Sequence, residues 1–122
     1  MKPENDDISD LLPLREPTFY ILLSLAEGEK HGYAIIKDVA EISRGKVTLS
    51  TGTLYEALAR LLDQRLIERV MLSGGEGAAG QHPGRPRKAY RLTLRGGQVM
   101  RAETARLDVL LATARGRMGL EA

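Results

Sequence analysis

Two short runs rich in branched, aromatic and long aliphatic residues, LIERVML (66–72) and KAYRL (88–92), flank a glycine-rich stretch, SGGEGAAGQHPGRPR (73–87). Each run reads as a strand, and two strands joined in this way make a hairpin with a long tip. This hairpin constrains the chain more than any other feature. The longer segments on both sides of it carry helical rather than alternating spacing, and 122 residues fit one domain with one core.

Three helices are expected before the hairpin. Pro17 can stand in a first turn, and Phe19, Ile21, Leu22, Leu23, Leu25 and Ala26 make a helix apolar over most of its surface, ended by Gly28. HGYAIIKDVAEISR (31–44) makes the second, with Tyr33, Ile35, Ile36, Val39, Ala40 and Ile42 on its apolar face and Gly45 as a C-terminal cap. KVTL (46–49) reads as a further short strand. The third helix runs from about Thr51 to Gln64. Residues 1–16 are polar and acidic, are broken by Pro3 and Pro13, and read as a flexible arm.

After the hairpin, Thr93 can cap a final helix of about 20 residues, or roughly 30 Å. Its stripe of Val99, Met100, Leu107, Leu110, Leu111, Ala114 and Met118 follows 3.6-residue spacing. A helix that folds back on its own domain would use such a stripe, and so would a helix that meets a partner. So short a chain has little left to cover it, which favours a homodimer. The order helix, helix, helix, strand, strand, helix is that of a winged helix-turn-helix: mainly α with a small β-hairpin, followed by a long C-terminal dimerisation helix. The expected division is an arm (1–16), a winged helix-turn-helix domain (17–93) and a dimerisation helix (94–122).

In a winged helix the third helix enters the DNA major groove. Here that helix opens with STGTLYEALARL (50–61). Stepping 100° per residue puts Leu54, Ala57, Leu58 and Leu61 on one face. Gly52, Thr53, Glu56, Ala59, Arg60 and Asp63 point away, with Tyr55 on the flank. A face with so little bulk can approach a rigid surface closely, and the exposed amides at the helix start suit phosphate oxygens. Ser50, Thr51 and Thr53 add hydroxyls, although the same residues also serve a plain N-cap. Glu56 can accept from a cytosine amino group, or it can pair with Arg60 across one turn.

Net charge is only +2, but it is unevenly distributed. Residues 1–16 carry two basic residues against five acidic ones, and residues 85–118 carry nine against two. A basic half points to a polyanion such as double-stranded DNA. Arg85, Arg87 and Lys88, set around Pro86 at the end of the tip, fit a narrow minor groove or phosphates, and equally a solvated basic turn. The chain has no cysteine, in keeping with a reducing cytoplasm, and no apolar run long enough to span a membrane. His31 and His82 are the only histidines and form no metal-site spacing. With no nucleophile–base pair and no phosphate loop, neither an enzyme nor a cofactor is indicated. The competing use of such a fold is as a protein-interaction module, which predicts an uncharged or apolar wing.

HGYAII, LSTGTLYEALARL, RLIER and GRPRKAYRLTLRGG together resemble the PadR family of bacterial transcriptional regulators, over about residues 18–97. The single C-terminal helix is similar to the short subfamily. The resemblance implies a dimeric winged-helix repressor, cytoplasmic and nucleoid-associated when bound, on a palindrome-like operator. The C-terminal helix, with the first helix, would form the dimer interface. It assigns Ser50, Thr51, Gly52, Thr53 and Tyr55 to recognition-helix contacts and Arg85, Arg87 and Lys88 to the wing. His31 and Tyr33, either side of Gly32, fall where packing and one phosphate contact are expected. A small-molecule effector near the dimer interface is also implied, but with no Trp an aromatic-stacking pocket is not indicated.

The chain departs from the family pattern in four places. Arg65 stands where the family usually has Gly, and a left-handed cap without Gly costs about 1 kcal/mol. The wing is longer and richer in glycine, Ala89 replaces one of an aromatic pair, and the acidic arm has no counterpart.

Overall fold

The computed structural model describes residues 8–72 and 87–120. Its elements are α1 (Glu16–Ala26), α2 (Gly32–Ile42), α3 (Thr51–Asp63), β1 (Ile67–Leu72), β2 (Arg87–Leu92) and α4 (Leu94–Met118), preceded by a 3-10 turn at Ile8–Leu11. The hairpin expected from the two strand-like runs is present and antiparallel, with Ile67 opposite Leu92 and Leu72 opposite Arg87. The mainly-α winged helix-turn-helix with a long last helix is therefore the observed fold.

The core is where the helical faces meet β1 and β2. Ile21, Leu22 and Leu25 of α1, Ile35 and Val39 of α2, Leu54, Leu58 and Leu61 of α3, and Leu66, Ile67, Tyr90 and Val99 form one buried cluster. Each fully buried leucine or isoleucine contributes about 2 kcal/mol relative to exposure. Within this cluster the four α3 positions given by the helical wheel, Leu54, Ala57, Leu58 and Leu61, are all buried.

Polar links lock α1 to α2. The Ser24 hydroxyl donates to Asp38 Oδ2 at 2.7 Å, and the Lys30 ammonium donates to the Ser24 carbonyl at 2.7 Å. Lys30 also exchanges backbone hydrogen bonds with Tyr90, which gives the hairpin a one-residue third strand on the edge of β2. Arg91 of β2 ties the hairpin together on its wet face, with Nε 2.6 Å from Glu68 and a terminal nitrogen 3.5 Å from Glu29. The Glu68 hydrogen bond is the main reason the Arg91 pKa lies above its ordinary value.

Three local expectations are corrected. KVTL is not a strand: the Ser43 hydroxyl accepts from the Val47 amide at 2.9 Å, holding this segment to the end of α2, and Leu49 turns into the core. The left-handed turn after α2 begins one residue earlier than expected, at Arg44 (φ 56°), and continues through Gly45 (φ 80°). The Gly45 amide reaches back to the Ala40 carbonyl and the Arg44 amide to that of Glu41, completing a Schellman cap. Finally, α4 has 25 residues rather than about 20.

Residues 8–14, read from the sequence as arm, lie against the domain. Ile8, Leu11, Leu12 and Leu14 pack on the core cluster, and the 3-10 turn touches α4. The Leu14 amide donates to Glu103 Oε2 of α4 at 3.0 Å.

The joint between α3 and α4 is tight. Arg65, the residue in place of glycine, takes φ 64°. The Leu66 amide bonds the Leu61 carbonyl and the Arg65 amide that of Leu62, the same Schellman pattern as at α2. Thr93 then closes the joint. Its hydroxyl donates to the Arg65 carbonyl at 2.7 Å and accepts from the Gly96 amide, capping α4. Arg95 Nε donates to the Gln64 carbonyl at 3.1 Å. At Gly96 a Cβ would collide with the Leu66 backbone oxygen, so only glycine fits there.

Candidate nucleic-acid interface

The start of α3 is dressed as the sequence suggests. Ser50 is the N-cap, its hydroxyl accepting from the Thr53 amide at 3.1 Å and donating to Thr53 Oγ1 at 2.9 Å. The Ser50 hydroxyl is thereby committed to the helix, and its remaining lone-pair capacity is what it can offer outside. Thr51, Gly52 and Thr53 are exposed, and a Cβ on Gly52 would meet nothing within 4 Å. Gly96 and Gly52 thus stand for opposite reasons: one is excluded from having a side chain by its own protein, the other is not.

Glu56 and Arg60 are both exposed, and they form no ion pair with each other or with any other described residue. The helix-local pairing considered from the sequence is absent. Beyond its small opening residues the outward face of α3 therefore presents the Glu56 carboxylate and the Arg60 guanidinium, a turn apart and unpaired among the described residues.

Tyr55 has a role that the sequence does not reveal. Its ring lies against Gly32, the first residue of α2, so closely that a Cβ on Gly32 would run into the phenol oxygen. The starts of α2 and α3 are brought together by this contact, and Tyr55 stays about half exposed beside it. His31 caps α2, with Nδ1 accepting from the Ala34 amide at 3.3 Å. Tyr33, placed on the apolar face by spacing, is instead 67% exposed, with the Lys37 ammonium 6.0 Å from its ring centre. His31, Tyr33 and Tyr55 are thus gathered at one end of the helix-turn-helix unit, two of them with surface to offer.

The wing is described only in part. Arg85 lies outside the described residues, as does the side chain of Arg87; Lys88 is exposed on β2 opposite Met71, which is also exposed.

Along α4 the expected stripe divides. Val99 is fully buried in the domain's own core, with Met100 beside it. Its assignment to dimerisation is corrected, because a side chain with no exposed surface cannot meet a partner. Leu107, Leu110, Leu111 and Met118 are exposed, and Ala114 is half-buried. Val109 and Leu120 are exposed apolar residues that the stripe did not include. The last buried side chain of α4 is Glu103, 2% exposed. Arg106 holds it through two bonds, Nε to Oε1 at 2.7 Å and a terminal nitrogen to Oε2 at 3.0 Å. Those bonds, together with the Leu14 amide, keep the Glu103 pKa below its ordinary value despite burial.

Comparison with known proteins agrees with this architecture. Residues 21–102 match the Transcriptional regulator PadR-like family. The chain belongs to that family. Similar solved structures include a PadR family transcriptional regulator from Eggerthella lenta, 30% identical over 94% of this chain and 96% of that one, with a TM-score of 0.62. A PadR family regulator from Clostridium difficile is 26% identical over 83% of this chain and 95% of that one, with a TM-score of 0.65. PadR of Bacillus subtilis, solved in complex with operator DNA, is 26% identical over 74% of this chain and 47% of that one, with a TM-score of 0.58. No curated protein matches the chain. This PadR-family chain is a transcriptional regulator, and no helix among its described residues is long and apolar enough to cross a membrane.

Proposed function

We propose that this regulator is a repressor that binds a palindrome-like operator as a homodimer, each copy placing the start of α3 in the major groove. The observation that carries the reading is the bare outward face of α3. Thr51, Gly52 and Thr53 leave backbone and hydroxyls open at the positive end of a helix whose other face is fixed in the core. Tyr55 braces that end against Gly32 and offers its flank, and Glu56, free of Arg60, can accept from a base amino group. Ser50 contributes mainly by shaping the cap. His31 sets the start of α2, Tyr33 stands exposed beside it for the DNA backbone, and Arg85, Arg87 and Lys88 supply the wing contacts.

The exposed part of α4, from Leu107 through Leu110, Leu111 and Ala114 to Met118, meets its counterpart in the second copy. In the symmetric dimer two α3 helices sit about 34 Å apart, one turn of DNA. Within this reading the winged domain (17–93), against which residues 8–14 pack, is followed by the dimerisation helix (94–122). It acts in the cytoplasm at the nucleoid, with release by a small-molecule effector.

The deciding experiment is a gel shift on the DNA upstream of its own gene, at several salt concentrations. A salt-sensitive complex is expected, and the Arg85→Ala, Arg87→Ala double variant should bind more weakly with a salt slope lower by about 2. No salt-sensitive complex at micromolar protein would favour a protein-interaction module instead. A double variant that titrates like the parent removes the wing from the interface.

A further inference from the structure

Among the described residues Glu103 is the one charged side chain buried in the domain, and it stands where α4 stops being held. Gly96, Val99, Met100 and Glu103 are the buried residues of this helix; from Thr104 to Met118 none is buried. The carboxylate joins α4 to the N-terminal segment at this point. It accepts from the Leu14 amide, 89 residues away in sequence, and it is gripped by Arg106, one turn further along the free part of the helix. Leu14 in turn belongs to the segment whose Ile8, Leu11 and Leu12 pack on the core.

Simple packing does not call for a carboxylate here. Apolar residues fill the preceding turns of α4, and a buried ion pair is a weak source of stability compared with a leucine of similar volume. What a carboxylate supplies and a leucine does not is direction. The Leu14 amide ties the carboxylate, and with it the last anchored turn of α4, to the segment 8–14, while the two charge-assisted bonds from Arg106, on the same helix, hold the carboxylate in the orientation that accepts this amide. The fifteen residues beyond Glu103 form a rod of about 22 Å, so a tilt of about 10° at its root moves the far end by about 4 Å.

We propose that Glu103 is a positioning residue: held between the Leu14 amide and Arg106, it sets the direction in which α4 leaves the domain and thereby the separation of the two α3 helices in the homodimer. The segment 8–14, which the family resemblance does not cover, is part of this device. The inference rests on the homodimer reading above, and its test separates the two.

The chain contains no cysteine, so Ala59→Cys on the exposed face of α3 gives a single spin-label site per copy. Pulsed electron-electron distance measurement then reads the α3–α3 separation directly. In the labelled parent one narrow population is expected. Glu103→Leu should shift or widen it by about 4 Å or more with helix content unchanged, and Glu103→Gln, which keeps an acceptor for Leu14 and loses the charge, should fall between. Arg106→Gln, at a partly exposed position, leaves the core intact and should also widen the distribution; it decides the matter should Glu103→Leu lose helix signal. Folded, dimeric variants whose distributions superimpose on that of the parent overturn the positioning role alone. A parent that sediments as a monomer overturns the homodimer reading and this inference with it.

Discussion

α3 and α4 begin alike and end differently. Each is opened by a hydroxyl, Ser50 or Thr93, that accepts the amide three residues on. α3 then buries one face along its whole length, whereas α4 is buried only as far as Glu103 and runs on with its leucines in water. The contrast teaches how to read an amphipathic stripe. A stripe that stops where the core stops belongs to the domain. A stripe that continues past it, as Leu107, Leu110 and Leu111 do, leaves apolar surface in water, which the proposed homodimer would cover.

The sharpest way to break this contrast is on the free half of α4. Leu107→Lys with Leu110→Lys removes four leucines from a symmetric interface, about 8 kcal/mol of dimer stability at about 2 kcal/mol each. Sedimentation should show a monomer at micromolar concentration with its helix content kept; a dimer that survives would assign these leucines no partner. The anchored half responds in the opposite way. Gly96→Ala drives a methyl group into the Leu66 carbonyl and should cost about 3 kcal/mol in urea denaturation, with DNA affinity falling only as folded protein is lost.

On α3 the test separates shape from fold. Gly52→Leu fills open space, so thermal stability should hold or rise slightly, while operator affinity falls at least about tenfold, or about 1.4 kcal/mol. Unchanged affinity would move the groove-facing surface away from Gly52.

Acid supplies a milder probe of the root of α4. Arg106 and the Leu14 amide hold the Glu103 pKa below its ordinary value, so the ionised form is the one that folding favours. Its contribution is complete above the ordinary glutamate value of about 4.3 and is lost as pH falls through the lower folded value. Glu103→Gln should flatten the acid limb of a stability–pH curve, and parallel curves would mean that the carboxylate is not linked to folding. The smallest expected effect is a gain. Arg65 sits at φ 64° where glycine is at ease, so Arg65→Gly should stabilise by at most about 1 kcal/mol, visible as a slightly higher urea midpoint.

Most of the scaffold was legible because it follows from periodicity. The buried set Leu54, Ala57, Leu58 and Leu61 is a wheel calculation, and the hairpin is two strand-like runs around glycines. What escaped depends on contacts with no local signature. KVTL has strand composition, but Ser43 captures it. Ile8, Leu11, Leu12 and Leu14 lie in a proline-broken, acidic stretch without a period, and nothing near Leu14 in the sequence points to Glu103. On α3 the bareness of Gly52 is readable, whereas the seating of Tyr55 on Gly32 is not, because it joins two helices. Val99 shows the converse failure: a true period, extended to the wrong partner.

The joint at residues 64–66 and 93–96 has a mechanical consequence. Arg95 on the Gln64 carbonyl, Thr93 on the Arg65 carbonyl and Gly96 against Leu66 tie the end of α3 to the root of α4. In the proposed dimer a displacement of the exposed arm of α4 would reach α3 through these contacts at its C-terminal end, opposite the Ser50–Thr53 start.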